Sequence, residues 1–175
     1  LPDDTAGRLR GSATAEHAPS LMHSLARNIP QAHATVIAGK WDRKSFEGVE
    51  VFGKRLAILG MGRIGTEFAK RAQAFGITVV AYDPFLTADR AKSLKVEHAE
   101  TPEAALTGAD LVTLHVPLTP ETQHIINADR IALLNKGALV VNCARGGLVD
   151  EVAAKAALDS GHLGGIALDV FGVEP

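Results

Sequence analysis

Two hydrophobic rhythms divide this chain of 175 residues. Between Thr14 and about Ala38 the apolar positions are Ala18, Leu21, Met22, Leu25, Ile29, Ala32 and Val36. Steps of three and four predict a helix with one apolar stripe. Pro30 has no N–H to give, so a kink or break is expected there. Residues 1 to about 12 read as an irregular lead-in, and "AGKWDRKSFEGVEVFGK" as a connector. From Arg55 onward the rhythm changes. "RLAIL", "ITVVAYD", "KVEHA", "DLVTLHV", "ALVVNCA" and "LGGIALDV" predict six strands, the third of them weak. Helical patterns lie between: "RIGTEFAKRAQAFG", residues 87–94, "TPEAALTG", "NADRIALLNKG" and "VDEVAAKAALDSG". Thr101 and Asn127 read as N-caps, Pro102 as a first helical residue, and Gly76 and Gly108 as stops.

The strands are almost unbroken apolar runs. That marks a parallel sheet covered on both faces, not a half-wet antiparallel one. Right-handed crossovers then give a doubly wound α/β sheet of about six strands, order 3-2-1-4-5-6. The expected organisation is one dinucleotide-binding domain over 1–175, with lead-in, helix and arm in 1–48 and the sheet core in 49–175.

Composition narrows the function. Hydrophobic residues make up 46% and charged residues 22%, with a net charge of −2. A nucleic-acid binder would carry a strongly basic face, so no nucleic-acid partner is expected. Apolar runs fall far short of the roughly 20 residues that a membrane-spanning helix needs. The N-terminus "LPDDTAGRLR" has no signal-peptide core, and a single cysteine, Cys143, fits a reducing, cytoplasmic setting. The seven histidines fall in no metal-ligand spacing, so no metal is expected.

"LAILGMGRIG" carries the candidate chemistry. A G-x-G-x-x-G between a strand and a helix is a pyrophosphate cradle. Gly60 allows the tight turn, Gly62 the approach of bare backbone, and Gly65 close helix–strand packing. N–H groups near Arg63 and Ile64 would face the anion at the helix start. Asp83 ends the second strand, where an acid would hydrogen-bond the ribose of NAD and repel the extra phosphate of NADP. As a bare turn former, Asp83 would instead only shape "YDP".

"LGMGRIG", "YDP", "LHVPLTPET", "VVNCARGGLVDE" and "ALDVFGVEP" together resemble the cofactor-binding domain of the NAD-dependent D-2-hydroxyacid dehydrogenases. The nearest likeness is to the phosphoglycerate-oxidising branch. Glyoxylate, hydroxypyruvate and D-lactate branches stay open, as does a non-catalytic NAD-sensing module of corepressor type. "AEHAPSLMHSLARNIPQAHATVIAGKWDR" is similar to the family's hinge helix and dimerisation arm, which implies a homodimer or higher oligomer.

The resemblance implies a Rossmann fold, NAD as cofactor, and a 2-hydroxy or 2-keto acid as substrate. It gives Arg145 the grip on the substrate carboxylate, a task that suits a planar guanidinium fork. It gives Asp169 the nicotinamide carboxamide, and Glu174 the pairing with a catalytic histidine. His115, Val116, Pro117, Cys143 and Ala144 would line the cofactor pocket. The family's acid–base histidine follows this Glu at some distance in a T-P-H segment, and no histidine of this chain stands in one. The substrate domain is likewise expected outside these residues, and residues 1–175 alone are expected to bind NADH without turnover. Cys143 reads as a small buried hydrophobe. His162 reads as a surface residue, and Trp41 more often as packing than as a dimer anchor.

Overall fold

A computed structural model describes residues 5–173, with side chains from residue 13 onward. The polypeptide opens with helix α1 (Thr5–Ala26). The irregular lead-in expected through residue 12 is therefore helical from Thr5. Gly7 and Gly11 each cost a helix about 1 kcal/mol, but extending an anchored helix avoids the cost of a new nucleus. Pro19 lies inside α1. The break falls at Asn28, which takes a left-handed φ of 53°. Pro30 then occupies the first turn of α2 (Ile29–Ile37), where its missing N–H is harmless.

The remainder alternates strand and helix: β1 (Arg55–Leu59), α3 (Arg63–Ala74), β2 (Thr78–Tyr82), α4 (Ala88–Ser93), β3 (Glu97–His98), α5 (Pro102–Leu106), β4 (Leu111–Leu114), α6 (Ala128–Ile131), β5 (Ala138–Asn142), α7 (Glu151–Asp159) and β6 (Leu163–Leu168). The strands form one parallel sheet, ordered β3-β2-β1-β4-β5-β6. This is the doubly wound arrangement expected from the sequence. β3 holds only two residues, in keeping with its weak pattern.

Alternate residues of each strand feed opposite cores. Ala57, Leu59, Val112, Leu114 and Val140 pack on one side with Leu106, Ile126, Ile131, Leu148 and Ala154. Leu56, Ile58, Val79, Leu111 and Val141 pack on the other with Ala18, Met22, Phe68 and Ala72. Burial on both faces explains why the strand sequences show no polar alternation.

α6 is shorter than "NADRIALLNKG" suggests. Leu133 and Leu134 N–H groups turn back only three residues, to the Arg130 and Ile131 carbonyls. Asn135 Nδ2 donates to Gly108 O and Asp110 Oδ1, both at 3.0 Å, which draws the chain into β5.

Candidate cofactor and active site

The carboxyl ends of all strands face one edge, and the order reverses between β1 and β4. Open α/β sheets place their ligand crevice at such a switch point. The loop after β1 lies there.

Its glycines have separable tasks. Gly60 takes a φ of 102°, and a Cβ on it would stand 2.5 Å from the carbonyl oxygen of His115. A Cβ on Gly65 would collide with Gly60 O, so the helix can start against the strand only because the side chain is absent. Around Gly62 a Cβ would meet nothing within 4 Å. Packing within the chain thus requires Gly60 and Gly65 but not Gly62.

The helix start differs from those that follow it in the sheet domain. Thr87, Thr101, Asn127 and Asp150 cap α4, α5, α6 and α7 with side-chain oxygens. α3 begins at Gly62 with no side-chain cap. N–H groups in the first turn of a helix have no acceptor within the helix, as at Ile64 and Gly65, and the positive end of the helix dipole lies with them.

Asp83 is tied to this loop. Its Oδ2 accepts from Met61 N at 2.7 Å, and its Oδ1 accepts from Phe85 N at 2.8 Å. The carboxylate therefore shapes the turn and braces the glycine loop together. An ionised carboxylate has about four acceptor positions, so two remain.

A cleft of about 240 Å³ adjoins the loop. Ile64 of α3 lines it, together with His115, Val116 and Pro117 after β4, and Cys143, Ala144 and Arg145 after β5. Thr14 of α1 closes the remaining side. His115 Nε2 lies 3.1 Å from Thr113 Oγ1, and its ring lies 5.4 Å from that of Phe68. Burial pushes the imidazole down to a pKa of about 4, so the ring is neutral at physiological pH. Cys143 is pushed up to about 11, first by burial and then by the Asp169 charge, so its thiol stays protonated and unreactive.

The loop bearing Arg145 hangs on Asn142, which is 1% exposed. Asn142 Nδ2 donates to Arg145 O at 2.9 Å, and its Oδ1 accepts from Ala144 N at 3.0 Å. Its backbone oxygen accepts from Asp169 N at 3.0 Å, which joins the ends of β5 and β6. Arg145 Nη1 donates to Ala144 O at 2.6 Å, which curls the guanidinium over its own loop. A Cβ on Gly146 would collide with Phe171 O, so the segment after β6 closes over this loop.

Asp169 follows β6, and its Oδ1 lies 3.4 Å from His17 Nε2 on α1. Glu174 lies outside the described residues. His162 is partly buried, not a surface residue, because its Nε2 bonds Ile131 O at 2.9 Å. Trp41 is 77% exposed, so it is not packing within this chain. Sequence reasoning missed Asn142, Thr14 and His17. Asn142 had one available signal, a polar residue ending the apolar run "ALVVN". Thr14 and His17 had none, because only the path of α1 brings them here.

The family model of the D-isomer specific 2-hydroxyacid dehydrogenase, NAD binding domain, matches residues 19–175. The chain belongs to this dehydrogenase family. D-3-phosphoglycerate dehydrogenase of Bacillus subtilis is 50% identical over 163 residues, which cover 93% of this chain and 31% of that protein. The Rattus norvegicus protein of the same name is 48% identical, with coverages of 93% and 30%. The chain thus spans about a third of the length of these relatives. Among solved structures, D-lactate dehydrogenase from Aquifex aeolicus, complexed with NAD and lactic acid, gives a TM-score of 0.84 at 31% identity. That match covers 92% of this chain and 48% of the other. A Granulicella formate dehydrogenase gives 0.90 at 27% identity, with coverages of 94% and 45%.

The dehydrogenase domain fits the cofactor its family binds. The open face of Gly62, the uncapped start of α3 and the two remaining acceptor positions of Asp83 adjoin one another. Among the described residues, no helix is long and apolar enough to cross a membrane.

Proposed function

We propose that this domain binds NAD in the crevice between the β1 and β4 loops. In the whole enzyme it would serve the oxidation of D-3-phosphoglycerate to the 2-keto acid, and the reverse reduction. The observation that carries the cofactor reading is the pairing of an uncapped α3 with a Gly62 whose Cβ position is open. The substrate reading is supported by relatives at 50% identity named for phosphoglycerate. Lactate, glyoxylate and formate enzymes among solved structures reach 27–35%.

The roles follow. Backbone N–H groups at Arg63, Ile64 and Gly65 hold the diphosphate, and Gly60 and Gly62 let it approach. Asp83 accepts from the ribose hydroxyls. His115, Val116, Pro117, Cys143 and Ala144 form an uncharged wall of the crevice. Bound NAD supplies the hydride acceptor. Arg145 holds the substrate carboxylate in bidentate fashion and polarises the oxygen at C2. Asp169 accepts from the carboxamide. Glu174 would raise and orient a histidine supplied from outside residues 1–175, which moves the proton.

Residues 1–48 serve as hinge helix and arm, and 49–175 as the cofactor core. A second copy of the chain covers α2. That helix buries none of its residues, and Ile37 and Trp41 stand 73% and 77% exposed. The setting is cytoplasmic. The direct test is calorimetric titration of the chain with NADH, alongside an activity assay with 3-phosphoglycerate. Binding without turnover is expected. Failure to bind NADH would overturn the reading.

A further inference from the structure

α1 reaches the site by an unusual fit. A Cβ on Gly165 of β6 would lie 2.8 Å from Leu25 Cδ1, so bare strand backbone makes room for the helix. Ala15 and Ala18 are both 0% exposed and fix the rotation of α1 about its axis. From Leu25 back to His17 the helix runs eight residues, about 12 Å. From Gly165 forward to Asp169 the chain runs four residues, about 13 Å. Helix and strand run in opposite senses, and the two spans match. His17 therefore arrives over Asp169, with Nε2 at 3.4 Å from Oδ1. Asp169 is held from behind by its own N–H on Asn142 O at 3.0 Å.

We infer that His17 is a positioning residue for Asp169: from α1 it holds one carboxylate oxygen and leaves the other for the amide of a nicotinamide carboxamide. This rests on the cofactor reading above and adds to it a residue from outside the sheet loops. At 3.4 Å the contact is longer than a good hydrogen bond, so its effect on the free chain is small. Its effect on a ligand is local. Only the nicotinamide end of the dinucleotide meets Asp169, whereas the adenosine and diphosphate meet Asp83 and α3.

The experiment compares NADH with ADP-ribose, which has the same diphosphate and adenosine but no nicotinamide. Both are titrated calorimetrically into the parent chain, His17→Ala and His17→Gln. Emission of bound NADH reports how the nicotinamide is seated. His17→Ala is expected to weaken NADH about two- to fivefold, the range of a half-exposed pair, with ADP-ribose unchanged. His17→Gln, which still donates an N–H, should recover most of the loss and the parent emission. Equal weakening of both ligands, or no change in NADH, would overturn the positioning role while leaving the cofactor reading intact. A parent chain that binds neither ligand would overturn both.

Discussion

Gly62→Ala separates chemistry from folding within one loop. The added methyl meets no atom within 4 Å, and the residue's φ of −67° and ψ of −160° suit any L-residue. Two small opposing terms act on stability. Alanine is a poorer N-cap than glycine, by about 0.5–1 kcal/mol. It also removes conformational freedom from the unfolded chain, a gain of about 0.4–1 kcal/mol. The net change in stability should therefore be near zero. Binding should differ, because in the proposed site the methyl would occupy the space through which backbone N–H groups reach the diphosphate. Overpacking of a close contact costs about 1–3 kcal/mol, which lowers NADH affinity about 5- to 150-fold. Gly65→Ala is the control of opposite sign. Its methyl meets Gly60 O, backbone against backbone, and should destabilise the fold by about 2–3 kcal/mol. Urea unfolding gives the first quantity and calorimetric titration with NADH the second. The reasoning fails if Gly62→Ala binds NADH as the parent does. It fails equally if the loss of affinity is matched by an equal loss of stability.

Asp83→Ala removes the acceptor of Met61 N–H and, in the proposed site, the charge facing the ribose. It should weaken NADH by about 3 kcal/mol, roughly a hundredfold, and narrow the gap to NADPH. Parallel losses for the two dinucleotides in calorimetry would refute the ribose assignment. Asn142→Ala breaks two buried hydrogen bonds and frees the Arg145 loop, so about 2–3 kcal/mol of stability should go, read from the urea midpoint. The burial-lowered pKa of His115 has a signed consequence for pH. Its unfolded value near 6.5 lies above its folded value of about 4, so the unfolded state binds the extra proton and stability falls as pH drops from 6.5 towards 4. The full loss is about 3 kcal/mol, and His115→Gln should flatten that part of the urea-midpoint profile relative to the parent. If a second copy covers α2, Trp41→Ala should shift sedimentation towards monomer.

How much of this was legible in the sequence depended on the range of the interaction involved. The strand order followed from apolar runs and crossover handedness, both properties of contiguous segments. The helix starts at Thr101 and Asn127 were readable because a cap is a bond between residues three apart. The glycine loop was readable for the same reason, since strand, turn and helix lie within twenty residues. β3 and α6 were over-read in length. Their ends are decided by distant partners: α6 gives way where Asn135 reaches Gly108 and Asp110, which no local pattern encodes. The reading of residues 5–12 failed differently, because helix propagation from an anchored segment tolerates glycines that would defeat a free one.

The less legible half of the site has a common physical origin. His115, Cys143 and Arg145 sit at strand ends, and any parallel sheet brings its strand ends to one edge. Thr14 and His17 reach that edge because α1 lies on β5 and β6, where Leu25 packs against the bare backbone of Gly165. That glycine reads locally as a weak point in a strand, since it packs no side chain and costs conformational entropy. Its value appears in the distance between Leu25 and the strand backbone. A Gly165→Val change should therefore act at a distance. The branched side chain would lift α1 at Leu25, draw His17 away from Asp169, and open the wall of the cleft that Thr14 forms. Loss of stability alone would leave the ratio of NADH to ADP-ribose affinity at its parent value. Displacement of α1 should lower that ratio as His17→Ala does, and the two substitutions combined should lower it no further than either alone. An additive loss would mean that α1 and Asp169 are not coupled through His17.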